Sequence, residues 1–148
     1  RLLLAGEGEE AATLRSLAEQ LGIGGKVIWA GHRRDMPRLY AAIDIYVQSS
    51  DNEGLSLSLL QAMIARKAVV ATNVGGTREV VNEQTGVLIE AGCAEILADA
   101  VIRLIKEPEY TDHLRENGCN LVKNEFGVGR QMSRYQAVYE QLFSDQKC

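Results

Sequence analysis

The sequence predicts an α/β fold, a parallel sheet with helices on both faces. Two observations carry that expectation. Short apolar runs alternate with segments of helical periodicity, the pattern of strands joined by crossover helices. The polar or glycine-containing stretches 6–8, 31–34, 48–54 and 72–76 each follow an apolar run. In an open parallel sheet they leave the carboxyl ends of the strands, where ligands bind, so they are expected to converge on one cleft.

Residues 2–5, Leu-Leu-Leu-Ala, read as a buried strand, and Gly6-Glu7-Gly8 as the turn after it. Residues 9–21 read as a helix with Leu14, Leu17, Ala18 and Leu21 on one stripe. Residues 27–30 form a second strand. Asp35 then stands as an N-cap, with Pro37 in the first turn, where proline is tolerated. That helix runs through Leu39 and Ala42. Residues 43–47 form the third strand, followed by a loop over 48–53 and a helix over 55–66. Residues 68–71 are the fourth strand, Gly75-Gly76 open a short helix through Val80, and residues 86–89 are the fifth strand.

The rest reads as helical. Leu97, Val101, Leu104 and Ile105 make a stripe that ends at Pro108. Tyr110, Leu114, Leu121, Val122 and Phe126 make a second, interrupted by Gly118. Met132, Tyr135, Val138, Tyr139, Leu142 and Phe143 make a third. There is no internal repeat and no linker long enough to divide domains.

At 148 residues the chain is long enough for one domain with a sizeable core. Its 46% hydrophobic and 24% charged residues are ordinary for a globular protein. A net charge of −4 argues against bulk nucleic-acid binding, which needs clustered cations. Cys93, Cys119 and Cys148 have no paired spacing, and with only two histidines a metal cluster is not expected. Reduced thiols point to the cytoplasm. Arg1 leads straight into an apolar strand, as in a domain excised from a longer protein.

The run from Ser50 to Gln61 carries the chemistry. Glu53 and Gly54 stand directly before a helix. A helix start offers unpaired N–H groups and partial positive charge, which suit a phosphate. A carboxylate there is out of place unless it handles a group attached to the phosphate, such as a sugar. Read from the residues alone, other roles stay open. Glu53 could complement the helix dipole, Ser56 could be a plain cap, and Gln61 could be a surface polar group. Gly6-Glu7-Gly8 resembles part of a dinucleotide fingerprint but lacks the third glycine and the ribose acid.

Taken in order, several stretches resemble one known family. They are residues 2–8 (Leu-Leu-Leu-Ala-Gly-Glu-Gly), 31–36 (Gly-His-Arg-Arg-Asp-Met) and 41–47 (Ala-Ala-Ile-Asp-Ile-Tyr-Val). They continue with 49–56 (Ser-Ser-Asp-Asn-Glu-Gly-Leu-Ser), 69–76 (Val-Val-Ala-Thr-Asn-Val-Gly-Gly) and 86–89 (Gly-Val-Leu-Ile). This order resembles the C-terminal, Rossmann-like domain of retaining glycosyltransferases of the GT-B architecture, the glycosyl transferases group one.

The resemblance implies a single donor-binding domain over 1–148, lacking its first strand and the N-terminal acceptor domain. Since that strand is central in the family, the sheet would close by direct pairing across the gap or be completed by another chain, for example in a dimer. The implied donor is a nucleotide diphosphate sugar, with no cofactor and no metal. The acceptor would be a glycan, lipid or other hydroxyl compound held by the missing domain. The parent would be cytoplasmic, or peripheral at the cytoplasmic face of a membrane.

Residue by residue, Glu53 takes the place of the family's catalytic glutamate facing the donor sugar. Gly54, Leu55 and Ser56 would offer N–H groups to the diphosphate. Gln61 stands where the family has a second glutamate that binds the ribose. It offers one acceptor and two donors where a carboxylate offers two acceptor oxygens. His32 and Arg33 would lie near the nucleobase and phosphates, with Arg34 beside them, and Gly75-Gly76-Thr77 would be a second glycine turn. The family often has glycine and proline after the central helix; this chain has Arg66 and Ala68, and loses a C-cap glycine. Two other functions stay open: a non-catalytic nucleotide-binding or interaction module, and a sugar-nucleotide epimerase on the same scaffold.

Overall fold

The computed structural model describes residues 1–145; Cys148 lies outside them. The chain divides into two compact units, residues 1–43 and the remainder from Asp44. Both are built from parallel strands and helices, as the alternating pattern predicts.

In the first unit, β1 (Leu2–Ala5) pairs in parallel with β2 (Val27–Gly31), from Leu2 opposite Val27 to Ala5 opposite Gly31. Helix α1 (Ala11–Gln20) joins them, and α2 (Met36–Ala42) follows β2. Of the apolar stripe on α1, Ala18 is buried, but Leu14, Leu17 and Leu21 keep 44%, 46% and 63% of their surface exposed. A two-stranded sheet offers too little apolar area to cover that stripe. Arg15 stacks on the Trp29 ring at 4.5 Å, joining α1 to β2 by a cation–π contact.

In the second unit, β3 (Ile45–Gln48), β4 (Ala68–Thr72) and β5 (Val87–Ile89) form a parallel sheet with β4 at its centre. Every residue of β4 is buried, as the apolar run Ala68-Val69-Val70-Ala71 requires of a central parallel strand, and Thr72 ends it. Ala68 and Val70 pack with Ile89 against Ala100 and Leu104 of α4 (Ala94–Lys106) and Leu114 of α5 (Pro108–Glu125). Helix α3 (Leu57–Ile64) buries Leu59, Ala62 and Met63. The chain closes its described part with α6 (Val128–Asp145). No helix among the described residues is long and apolar enough to cross a membrane.

Several expectations are corrected. Among the described residues the strands form two sheets, β1–β2 in the first unit and β3–β4–β5 in the second, where one sheet was expected. Gly118 does not interrupt a helix: α5 runs through it from Pro108 to Glu125. A β-carbon there would come within 3.1 Å of the Thr85 carbonyl oxygen and 3.2 Å of Met63 Cε. The glycine is a packing notch, not a break. After Gly75-Gly76 there is only a short 3-10 turn, Thr77–Glu79, because Val80 and Val81 bend into the core. The stripe on α6 is exposed, with Met132, Tyr135, Val138, Tyr139, Leu142 and Phe143 each more than half accessible.

One departure from glycine at a helix end is visible in the backbone. Arg66 has φ +56°, the only positive φ among described non-glycine residues. Its N–H donates to the Met63 carbonyl and that of Lys67 to the Ala62 carbonyl, each at 3.0 Å. This is the paired closure of a Schellman motif, with arginine in the left-handed position that glycine normally fills.

Candidate active site

The segment between β3 and α3 holds four of the predicted site residues together. Ser56 is the N-cap of α3, in extended conformation at ψ 119°, and its Oγ accepts the Leu59 N–H at 3.4 Å. It caps the helix because its short hydroxyl folds back on the first turn. A helix start leaves its first N–H groups without acceptors inside the helix. Glu53 and Gly54 sit immediately before them, and Glu53 is partly exposed.

This loop is fixed from the β4 side. Thr72 Oγ1 donates to the Ser50 carbonyl at 2.6 Å, and the Gly76 N–H donates to the Gly54 carbonyl at 3.1 Å. Gly75, at φ +50°, presses against the Glu53 carbonyl, and a β-carbon there would overlap its oxygen. Only glycine permits both that backbone angle and that approach. The Gly75-Gly76 pair therefore clamps the backbone of Glu53 and Gly54. The Glu53 carboxylate accepts from Ser50 Oγ at 3.5 Å, the long end of hydrogen-bond range.

Behind the loop lies a cluster of hydroxyls that the motif pattern did not reveal. Tyr46 Oη is 2.9 Å from Ser58 Oγ, which is 2.9 Å from Ser56 Oγ. Tyr46 Oη also reaches Gln48 Oε1 at 3.5 Å. Burial pushes the Tyr46 phenol above its ordinary pKa; its bonds to Ser58 and Ser56 oppose the shift, and the Glu53 charge adds to it. The sequence signal was available in hindsight. Tyr46 and Gln48 share one face of a strand, and Ser56 and Ser58 flank a helix start.

Gln61 lies on the exposed side of α3, one turn before its end. His32 and Arg33 belong to the first unit and its β2–α2 loop. There the His32 N–H donates to Glu7 Oε1 at 3.3 Å, and the Gly6 N–H to the Gly31 carbonyl at 2.8 Å, so stretches 6–8 and 31–34 meet within that unit. Arg33 makes a two-toothed bond to Asp35, Nε to Oδ1 at 2.8 Å and Nη2 to Oδ2 at 2.6 Å. That bond holds the Asp35 carboxyl below the usual carboxylate range and raises the Arg33 guanidinium. Asp35 occupies the N-cap position of α2, but its side chain makes no cap bond. This corrects the expected capping role: the guanidinium takes the carboxylate that would have folded back on the helix.

No group of three or more potential metal ligands occurs among the described residues. A separate open hollow of about 830 Å³, lined by Arg78, Asn82, Gln84, Arg103 and Tyr110, shares no residue with the loop before α3.

The model of the family described as glycosyl transferases group 1 matches residues 1–120. The chain is similar to the N-acetyl-alpha-D-glucosaminyl L-malate synthase of Bacillus anthracis, 32% identical over 99% of this chain and 39% of that protein. It is also similar to the lipopolysaccharide core biosynthesis mannosyltransferase LpcC of Rhizobium leguminosarum bv. viciae, 32% identical over 85% of this chain and 36% of that protein. Among solved structures, Anabaena Alr3699/HepE in complex with UDP-glucose superimposes with a TM-score of 0.84 and 28% identity, over 96% of this chain and 40% of that one. The chain thus spans about two fifths of the length of these relatives.

Proposed function

This chain belongs to the glycosyl transferases group 1 family, and on that premise we propose that it is the donor-binding part of a retaining glycosyltransferase. The parent protein would move a sugar from a nucleotide diphosphate sugar to an acceptor hydroxyl. The donor diphosphate would rest on the N-terminus of α3, where the N–H groups of Gly54, Leu55 and Ser56 meet its charge without a bound metal. The Glu53 carboxylate would then face the sugar, and its negative charge would stabilise the oxocarbenium-like positive charge that develops as the bond to phosphate breaks. Gln61 would take a ribose hydroxyl through its one acceptor oxygen and one of its donors.

The observation that carries this reading is the clamp on the Glu53-Gly54 backbone. A carboxylate held by its main chain directly before an open helix start is placed for charge stabilisation and costs little reorganisation during reaction. HepE in its solved complex holds UDP-glucose, so UDP sugars are the first donors to test. The deciding experiment compares full-length parent protein with its Glu53→Gln variant. Transfer should fall by at least about 100-fold while nucleotide binding stays near wild type. An unchanged transfer rate would remove Glu53 from the chemistry.

Gln61 favours one second reading, a module that binds the nucleotide without transferring sugar. Sugar-nucleotide binding by the full-length protein with no transfer to any acceptor would select it.

A further inference from the structure

We propose that Thr72 is a positioning residue for the Glu53 carboxylate, acting through Ser50. The proposal rests on the reading of Glu53 as the group that faces the donor sugar.

Thr72 ends the apolar run of β4 with a buried hydroxyl. A buried hydroxyl costs free energy unless it finds an acceptor. The register supplies one. Gln48, the last residue of β3, lies opposite Ala71, so Thr72 stands level with the start of the loop that leads to Glu53. Its Oγ1 is 2.6 Å from the Ser50 carbonyl oxygen and 3.5 Å from that of Gln48. Neither carbonyl oxygen carries a hydrogen, so Thr72 is the donor in both contacts, and the shorter is the stronger. Branching at the β-carbon limits χ1 and keeps the hydroxyl aimed.

Ser50 is the second link. Its Oγ lies 3.5 Å from Glu53 Oε2, and an ionised carboxylate only accepts, so the serine donates. Hydrogen bonds of catalytic groups are often long in the free enzyme and tighten in the substrate complex. The Gly75-Gly76 contacts hold the main chain of Glu53 and Gly54, but they do not fix the torsions of the glutamate side chain. The serine hydroxyl reaches the carboxylate itself. The segment after β4 thus holds the loop twice, by glycine at its main chain and by Thr72 through Ser50 at its charged group.

The test uses steady-state sugar transfer by the full-length parent protein. Thr72→Val keeps the shape and removes the hydroxyl. Its kcat should fall about tenfold while KM for the donor stays within about twofold, the pattern of an interaction that counts in the transition state. Ser50→Ala should reproduce the loss, and Thr72→Ser, which keeps the hydroxyl, should recover most of the rate. In a Glu53→Gln background Thr72→Val should cost nothing further, because its effect passes through that carboxylate. Wild-type kcat in Ser50→Ala, or in a folded Thr72→Val, would overturn the proposal. So would a loss that Thr72→Ser does not recover, or one that adds in full to Glu53→Gln, since either makes Thr72 a packing residue. A Glu53→Gln variant at the wild-type rate would instead remove the reading of Glu53 itself, and this proposal with it.

Discussion

Gly75 packs so closely on Glu53 that a β-carbon at position 75 would overlap the Glu53 carbonyl oxygen. The two residues come from loops after different strands, β3 and β4, which are neighbours in the sheet. The contact fixes the main chain from which the proposed catalytic carboxylate projects.

Gly75→Ala should therefore strike function harder than stability. The left-handed backbone alone costs an L-residue roughly 1–2 kcal/mol. Displacing the Glu53 backbone by about an ångström should lower sugar transfer by the parent about 100-fold. Gly22 is the control: it has φ +67° but open space where its β-carbon would go. Gly22→Ala should show the stability loss without the kinetic one, measured by denaturant melts and initial rates. Equal rates in the two variants would mean that the clamp has no functional weight.

Ser56 combines a cap and a ligand role that substitutions can separate. Ser56→Ala should lose about 1 kcal/mol of stability with the missing cap. Ser56→Asp should keep the cap, because aspartate caps as well as serine, yet set a negative charge against the diphosphate. Its melting curve should match wild type while nucleotide affinity collapses. Nucleotide affinity at wild-type level in Ser56→Asp would show that no anion approaches this helix start.

Arg66 holds a conformation that costs its side chain energy and glycine almost none. Arg66→Gly should raise stability by up to about 1 kcal/mol, the left-handed strain relieved less the extra freedom of glycine in the unfolded chain. The expected sign is a higher urea midpoint at unchanged slope. A lower midpoint would mean that the arginine side chain contributes more than its backbone angle costs.

Tyr46 predicts a pH dependence. Burial raises its pKa in the folded state, so the neutral phenol is favoured there. Below the unfolded value of about 10 both states are protonated and stability is complete. Above it the unfolded chain ionises first, and stability is lost as pH rises through the folded pKa. Denaturant melts from pH 8 to 11 should show this decline in wild type and a shallower one in Tyr46→Phe. Parallel curves would place the alkaline loss on other groups.

How much was legible beforehand depended on the range of the interactions. Each strand appeared close to its expected position because an apolar run is a local property of the sequence. The Glu53-to-Ser56 loop was readable for the same reason: acid, glycine and cap residue stand in line before a helix. Arg66 was legible as a missing glycine. Gly118 was misread because periodicity treats glycine as a break, whereas its notch exists only against Met63 and Thr85, distant in sequence. Asp35 was misread because Arg33 competes for the same carboxylate.

The sequence alone determined the α/β class, the order of elements and the loop that carries Glu53, since these follow from patterns over a few neighbouring residues. Tertiary structure decided which strands share a sheet, that Gly75 clamps Glu53, and that Tyr46, Ser58 and Ser56 form one cluster of hydroxyls. Those relationships join residues that no local periodicity connects, and only the packing of β3, β4 and α3 brings their atoms within bonding distance.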